Sequence, residues 1–120
     1  MPVNEHIVLQ KMLKYCNDAM KYAQGCTYDD FINNELYLTF SVFALSQLGE
    51  LANRLDKAFY QKYPEIPWNA MRGLRNHIVH EYEGIEFQSL WSTIQINIPV
   101  LHKQLEKLLL TDFPADSEQP

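Results

Sequence analysis

Apolar residues recur every three or four positions along most of the chain, which is the periodicity of helices with one buried face. In the first such segment the apolar positions share one face, namely Val8, Met12, Tyr15, Cys16, Ala19, Tyr22 and Ala23. Asn4 is placed to cap this helix, and Gly25 is placed to end it. We therefore expect a first helix between these two residues.

A second helical stretch is predicted from Thr27 to about Tyr63. It opens with TYDD, in which Thr27 and Asp30 have the spacing of a capping box. Its apolar positions also share a face, namely Leu36, Phe40, Phe43, Ala44, Leu48, Leu51, Leu55 and Phe59. The pattern fits one long helix or two. The segment YPEIP, 63–67, ends it because prolines interrupt helices.

Two further helices complete the pattern. Pro67 suits the first turn of a third helix. The last helix shows alternating spacings of three and four, typical of a bundle seam, at Trp91, Ile94, Ile98, Leu101, Leu105 and Leu108. Pro99 predicts a kink within it. We find no strand-like alternation, and predict an all-α, up-and-down bundle of four to five helices. Residues 1–110 would form one domain and the polar residues 111–120 a flexible tail.

Composition narrows the class of protein. The 120 residues suffice for one core, and the hydrophobic content of 47% is that of a globular domain. No apolar run approaches the roughly 20 residues of a membrane span, and the N-terminus does not resemble a secretory signal. Cys16 and Cys26 fit no metal or disulfide spacing, so a cytoplasmic protein with reduced thiols is expected. The net charge of −5 implies that any contact with RNA uses a local basic site or is brief.

The segment GLRNHIVHEYEG, 73–84, concentrates groups able to bind phosphate and move protons. On a regular helix Met71, Leu74 and Ile78 face the core, while Asn76 and His80, four apart, share the opposite face. Gly73 leaves the backbone near them open. Arg75 sits at the edge of the apolar face, which favours a partner or a cleft. Tyr82, seven residues after Arg75, returns to the same side of a continued helix.

These groups suit cleavage of RNA without a metal. Arginine binds phosphate bidentately and stabilises developing charge, and histidine transfers protons near neutral pH. The 2′-hydroxyl of RNA would attack the adjacent phosphate, with a base on one side and an acid at the leaving oxygen. One histidine can hardly act on both the attacking and the leaving oxygen of an in-line displacement. We therefore expect a two-fold dimer that brings two copies of this segment together.

Plainer interpretations apply to other residues. HIVHE could supply metal ligands at His77, His80 and Glu81, but the spacing is weak and we expect no metal or other cofactor. Asn76 could simply brace the turn. The aromatic residues are expected in the core or at its boundary, namely Tyr37, Tyr60, Tyr63, Trp68 and Trp91. His6 and His102 have no group of catalytic residue types near them in the sequence.

Residues 66–109 resemble the HepT family of the HEPN superfamily. The matching motifs are Ile-Pro-Trp at 66–68, Gly-Leu-Arg-Asn at 73–76, Val-His-Glu-Tyr at 79–82, and the later Trp91 and Pro99. The arginine, histidine and tyrosine follow the family spacing without a gap. Leu74 stands where the family more often has Met, and Glu81 and Glu83 make the surroundings of Tyr82 more acidic.

The resemblance implies a dimeric helical bundle that acts as a metal-independent endoribonuclease and as the toxin of a toxin–antitoxin pair. It implies catalytic roles for Arg75 and His80 at the dimer cleft, with Asn76 in support. The implied partner is an MntA-type minimal nucleotidyltransferase, which would neutralise the toxin by attaching AMP to Tyr82. An alternative from another class is a non-catalytic adaptor that presents substrate to a separate nucleotidyltransferase. The intact Arg75 and His80 pair favours the ribonuclease.

Overall fold

The protein is described by a computed structural model that covers residues 3–80 and 87–114, with the side chains of 75–80 left out. Every regular element in these ranges is helical. The α-helices are α1 (Glu5–Ala23), α2 (Tyr28–Ile32), α3 (Glu35–Ala52), α4 (Lys57–Lys62), α5 (Trp68–His80), α6 (Phe87–Ser92) and α7 (Ile98–Asp112). A π-helical turn, Thr93–Asn97, joins α6 to α7. The prediction of an all-α protein is confirmed.

Four long helical segments form the bundle. α1 packs against α3 and α7, α3 also packs against α5, and α6 continues through the π-helical turn into α7. The largest fully buried apolar side chains come from α1, α2, α3, the π-helical turn and α7, namely Leu9, Met12, Cys16, Phe31, Leu45, Leu48, Ile94 and Leu105. Within the described part of the chain, no helix has the length and apolar character to cross a membrane.

The first helix begins and ends where the sequence predicts. The Asn4 side chain accepts a hydrogen bond from the Ile7 N–H at 3.1 Å. After the last turn Gly25 adopts a φ of 79°, a left-handed conformation that glycine tolerates best. Thr27 and Asp30 then form the predicted capping box at the start of α2. Side-chain capping therefore sets both of these helix starts.

The second helical stretch is three helices, and not the one or two predicted. Asn34 caps α3 by accepting from the Tyr37 N–H, and Asp56 caps α4 by accepting from the Phe59 N–H. The single apolar face drawn across the segment is partly wrong within α3 itself, because α3 buries a face centred on Ser41, Leu45, Leu48 and Ala52, to one side of the predicted one. Leu36 is 71% exposed and Phe43 is 49% exposed.

The last helical segment keeps its predicted seam. Ile94, Ile98, Leu101, Leu105 and Leu108 are buried, and Trp91 packs on Phe31 with ring centroids 5.0 Å apart. Pro99 lies in the first turn of α7, and the chain stays helical through it. The irregularity takes the form of the π-helical turn, in which the Ile98 N–H bonds to the Thr93 carbonyl.

The predicted boundary at residue 110 falls inside α7. The helix continues to Asp112, and the Phe113 ring lies 5.4 Å from the His6 ring. The tail proposed for 111–120 therefore begins with ordered residues, and its segment 115–120 lies outside the described residues. A flexible tail there stays a prediction.

Candidate functional site

The start of α5 is anchored by aromatic packing and by backbone bonds. Trp68 is 4% exposed, stacks on Tyr60 with centroids 5.2 Å apart, and donates its indole N–H to the Tyr63 carbonyl at 2.9 Å. The Pro67 carbonyl accepts the Met71 N–H at 3.1 Å, which closes the first helical turn. Trp68 is therefore a core anchor, as the sequence predicts.

The inner face of α5 fixes the rotation of the helix. Met71 is buried at 2% exposure, and Leu74 packs half-buried against the core. The predicted core orientation of these two residues is confirmed, and the third member of that face, Ile78, has a side chain outside the described residues. With its inner face fixed, α5 presents the opposite face outward.

The outer face of α5 is polar and open. Asn69, Arg72 and Gly73 are exposed. A Cβ added to Gly73 would meet no heavy atom within 4 Å, so nothing described in the chain requires glycine there. Among the described residues nothing covers the backbone at Gly73, in line with the prediction that it is open to close approach.

The predicted catalytic residues follow on the same helix. Arg75, Asn76 and His80 belong to the last two turns of α5. Their side chains lie outside the described residues, as does the whole of Tyr82. Their helical spacing continues the stripe of Asn69 and Gly73 toward positions 76 and 80. Their roles stay predictions.

A groove of about 840 Å³ lies beside the first turns of α5. Its lining comes entirely from residues 53–72, namely Asn53, Leu55, Lys57, Tyr60, Gln61, Pro64, Ile66, Pro67, Trp68, Asn69, Ala70 and Arg72. The Arg72 Nε–H donates to the Asn53 Oδ1 at 2.9 Å, and its guanidinium carbon lies 5.5 Å from the Tyr60 ring centroid. The Tyr60 hydroxyl donates to the Ala52 carbonyl.

The sequence interpretation missed this groove. Arg72 is not distinguishable in the sequence, because an arginine on the polar face of a helix has no pattern of its own. One signal was available: residues 54–75 hold five of the ten Lys and Arg residues and two of the fifteen Asp and Glu residues. This segment is therefore net positive in a chain whose net charge is −5.

Other reactive side chains form no second site in the described part of the chain. No three His, Cys, Asp or Glu residues there come close enough to hold a metal ion, a finding that does not extend to HIVHE. Burial raises the pKa of the Cys16 thiol to about 12, which makes this thiol inert near neutral pH. Cys26 is also a free thiol.

The described residues thus form an all-α domain in which α5 exposes a polar face that includes one arginine, Arg72. Comparison with known families gives this domain a name. Residues 12–108 match the family described as Ribonuclease HepT-like. The chain belongs to the HepT-like ribonuclease family, which confirms the predicted family and the predicted ribonuclease class of enzyme.

Individual relatives agree with this assignment. The chain is 33% identical over 98 residues to "Putative RNase MJ1380" of Methanocaldococcus jannaschii, covering 82% of this chain and 90% of that protein. It is 31% identical to "Putative RNase TTE0752" of Caldanaerobacter subterraneus subsp. tengcongensis, covering 84% and 90%. It is 30% identical to "Probable ribonuclease HepT" of Thermococcus cleftensis, covering 73% and 80%. No solved structure matches the chain.

Proposed function

We propose that the protein is a metal-independent endoribonuclease acting as the toxin of a toxin–antitoxin pair, with Arg75 and His80 as its catalytic residues. The observation that carries this proposal is the match to the HepT-like ribonuclease family over residues 12–108, a range that contains the complete Arg75, His80 and Tyr82 motif. The exposed polar face of α5 supports it, because that face leads along the helix to positions 76 and 80.

The reaction is an internal displacement at phosphorus. His80 removes the proton of an RNA 2′-hydroxyl, and that oxygen forms a bond to the adjacent phosphorus. The bond from phosphorus to the 5′-oxygen breaks, and that oxygen takes up a proton. Arg75 stabilises the charge that develops on the phosphoryl oxygens, and the products are a 2′,3′-cyclic phosphate and a 5′-hydroxyl. Asn76 supports the site as a polar neighbour of Arg75.

A two-fold homodimer supplies the second proton-transfer group. His80 of the second copy would protonate the leaving 5′-oxygen. The first His80 lies beside the attacking 2′-oxygen, on the opposite side of the phosphorus, and reaches the leaving oxygen poorly. Exposed apolar side chains offer surface for such pairing, among them Leu36 and Phe43 on α3 and Ile96 and Val100 on the last helical segment.

The partner proposed for neutralisation is a minimal nucleotidyltransferase antitoxin. The Tyr82 hydroxyl would attack the α-phosphorus of ATP, forming a tyrosyl phosphodiester and releasing pyrophosphate. The attached phosphate can bind Arg75 in place of the RNA phosphate, and the nucleoside blocks the cleft by its bulk. Inhibition would therefore combine mimicry and steric exclusion.

The deciding experiment is RNA cleavage by the purified protein with and without excess EDTA. We expect cleavage in both conditions, with 2′,3′-cyclic phosphate ends, and its loss in Arg75→Ala and also in Arg75→Lys, because lysine lacks the guanidinium fork. Absence of cleavage in every RNA pool tested would favour the adaptor. Loss with EDTA and recovery with a divalent metal would refute the metal-free mechanism and return attention to HIVHE.

Assembly and modification have tests of their own. Analytical ultracentrifugation should show a dimer, and a fully active monomer at all concentrations would contradict the dimeric site. With the partner nucleotidyltransferase and ATP, mass spectrometry should find whole AMP units on the peptide containing Tyr82, with loss of cleavage. Tyr82→Phe should show neither change. Full inhibition of Tyr82→Phe without a mass gain would mean that the partner acts by binding alone.

A further inference from the structure

Charge is unevenly distributed along this acidic chain. Residues 54–75 carry Arg54, Lys57, Lys62, Arg72 and Arg75, and only Asp56 and Glu65 oppose them. The segment is therefore net positive within a protein whose net charge is −5. A polyanion approaching this protein is attracted to this segment and repelled by most of the remainder.

The groove beside α5 lies inside this basic segment. It is open to solvent and combines two cationic side chains, Lys57 and Arg72, with the ring of Tyr60 and the amide side chains of Asn53, Gln61 and Asn69. Proteins bind single-stranded nucleic acids with groups of this kind. Cationic side chains contact the phosphates, and aromatic rings and amides contact the bases.

Arg72 is held in place but keeps most of its donors available. A guanidinium has five N–H donors. Among the described residues, its hydrogen-bond partner is Asn53 alone, through Nε, and no carboxylate pairs with it. The bond to Asn53 at the end of α3 and the contact with the Tyr60 ring limit its conformations. An arginine positioned in this way loses little entropy on binding a phosphate.

No acidic side chain of the described residues lines the groove. The Asp56 carboxylate accepts the Phe59 N–H at 2.9 Å as the cap of α4, and Glu65 lies outside the groove lining. Lys57 is exposed and forms no hydrogen bond or ion pair among the described residues. Two cations therefore face the groove with their charge available to a ligand.

We propose that this groove binds a nucleotide of single-stranded RNA that flanks the scissile phosphate, with Arg72 and Lys57 on the backbone phosphate and the exposed amides of Gln61 and Asn69 available to the base. The site rests on the proposed ribonuclease function and extends it from the catalytic pair to the substrate-binding surface. Arg72 precedes Asn76 by four residues, which is roughly 6 Å along the helix axis. An RNA strand following the outer face of α5 would therefore reach the groove and the catalytic motif together.

The test separates binding from cleavage. Binding is measured with a fluorescent single-stranded RNA and with its 2′-O-methylated form, which lacks the attacking hydroxyl. The variants are Arg72→Gln and Lys57→Gln, with Lys103→Gln on the exposed surface of α7 as the matched control. Lys57→Gln guards against a folding effect, because Lys57 makes no described bond that the change could break, and thermal unfolding is recorded for all variants.

We expect each groove variant to bind either RNA about tenfold more weakly, while the control binds as wild type does. The slope of log K against log salt should fall by about 0.7 for each phosphate contact removed from a single strand. In cleavage assays both variants should raise KM more than they lower kcat. His80→Ala should show the reverse, with binding kept and cleavage lost.

The other outcomes are distinct. If Arg72→Gln and Lys57→Gln bind RNA as tightly as Lys103→Gln does, the groove proposal is wrong and the proposed ribonuclease stands. If they keep RNA affinity but lose binding to the nucleotidyltransferase, the groove is a protein interface and the proposal is likewise wrong. If both variants weaken binding but wild type cleaves no RNA, the groove is supported as an RNA site and the proposed catalysis is refuted.

Discussion

The two faces of α5 differ in what constrains their residues. On the inner face, Trp68 and Met71 are almost fully buried. Both pack in the core, and Trp68 also donates a hydrogen bond to the Tyr63 carbonyl, so folding explains both residues. On the outer face, Asn69, Arg72 and Gly73 are exposed, and Gly73 has no described neighbour that explains it. Residues with no role in folding are the ones to examine for function. The difference predicts that inner-face variants lose stability and outer-face variants lose activity.

The largest expected effect is on activity. His80→Ala should lower RNA cleavage by about 10²–10⁴-fold, the range for loss of a general acid or base. Its unfolding temperature should stay close to that of the wild type if position 80 belongs to the outer face. His102→Ala, on α7 and outside the motif, serves as the histidine control and should cleave normally. Equal losses in the two variants would contradict the catalytic role of His80.

The next effect is on stability. Met71→Ala removes a buried side chain that is 2% exposed, and should lower the free energy of unfolding by about 2–5 kcal/mol. Cleavage per folded molecule should persist below the unfolding transition. Arg72→Gln, one residue along on the outer face, loses the exposed hydrogen bond to Asn53 and should cost about 0.5–1.5 kcal/mol, less than Met71→Ala. Urea titration measures the free energy of unfolding of both variants. Similar losses would contradict the difference in stability that we expect between the two faces.

The fold was more predictable than the site, for local reasons. Asn4, Thr27 and Asp30 act through bonds to residues three positions away, so their caps are readable from the sequence. The breaks at Asn34 and Asp56 use the same chemistry, but they fall within a continuous apolar pattern that conceals them. Leu36 lies inside α3 but to one side of its buried face, which is centred on Ser41, Leu45, Leu48 and Ala52, and the apolar pattern alone does not fix that rotation.

The groove could not be predicted because it depends on distant pairs. Arg72 meets Asn53, nineteen residues earlier, only when α3 and α5 pack together. Neither residue has a sequence pattern of its own. The Arg75 and His80 motif, by contrast, is contained in one helix and has a spacing that resemblance can detect. Sequence finds chemistry carried by a single element more readily than chemistry assembled by packing.

A smaller effect tests the aromatic anchor. Trp68→Phe keeps a ring against Tyr60 but removes the indole N–H, leaving the buried Tyr63 carbonyl without that donor. We expect a loss of about 1–3 kcal/mol in unfolding free energy, with cleavage per folded molecule maintained. Calorimetry and a cleavage assay at low temperature measure the two quantities. A loss of cleavage with unchanged stability would instead show that Trp68 acts in function, as is expected of residues on the outer face of α5.

The smallest effect has opposite signs for stability and for activity. Gly73→Ala should raise the free energy of unfolding by about 0.5–1 kcal/mol, because alanine is the better helix former and the added Cβ enters open space. Gly25→Ala is the matched control: its Cβ also meets nothing within 4 Å, but its φ of 79° strains alanine, so that variant should be less stable. If RNA or a second copy of the chain approaches the backbone at Gly73, the more stable Gly73→Ala should cleave more slowly than wild type, and Gly25→Ala should cleave normally while folded. A Gly73→Ala variant with higher stability and full activity would show that the open helix surface at this position is not part of the site.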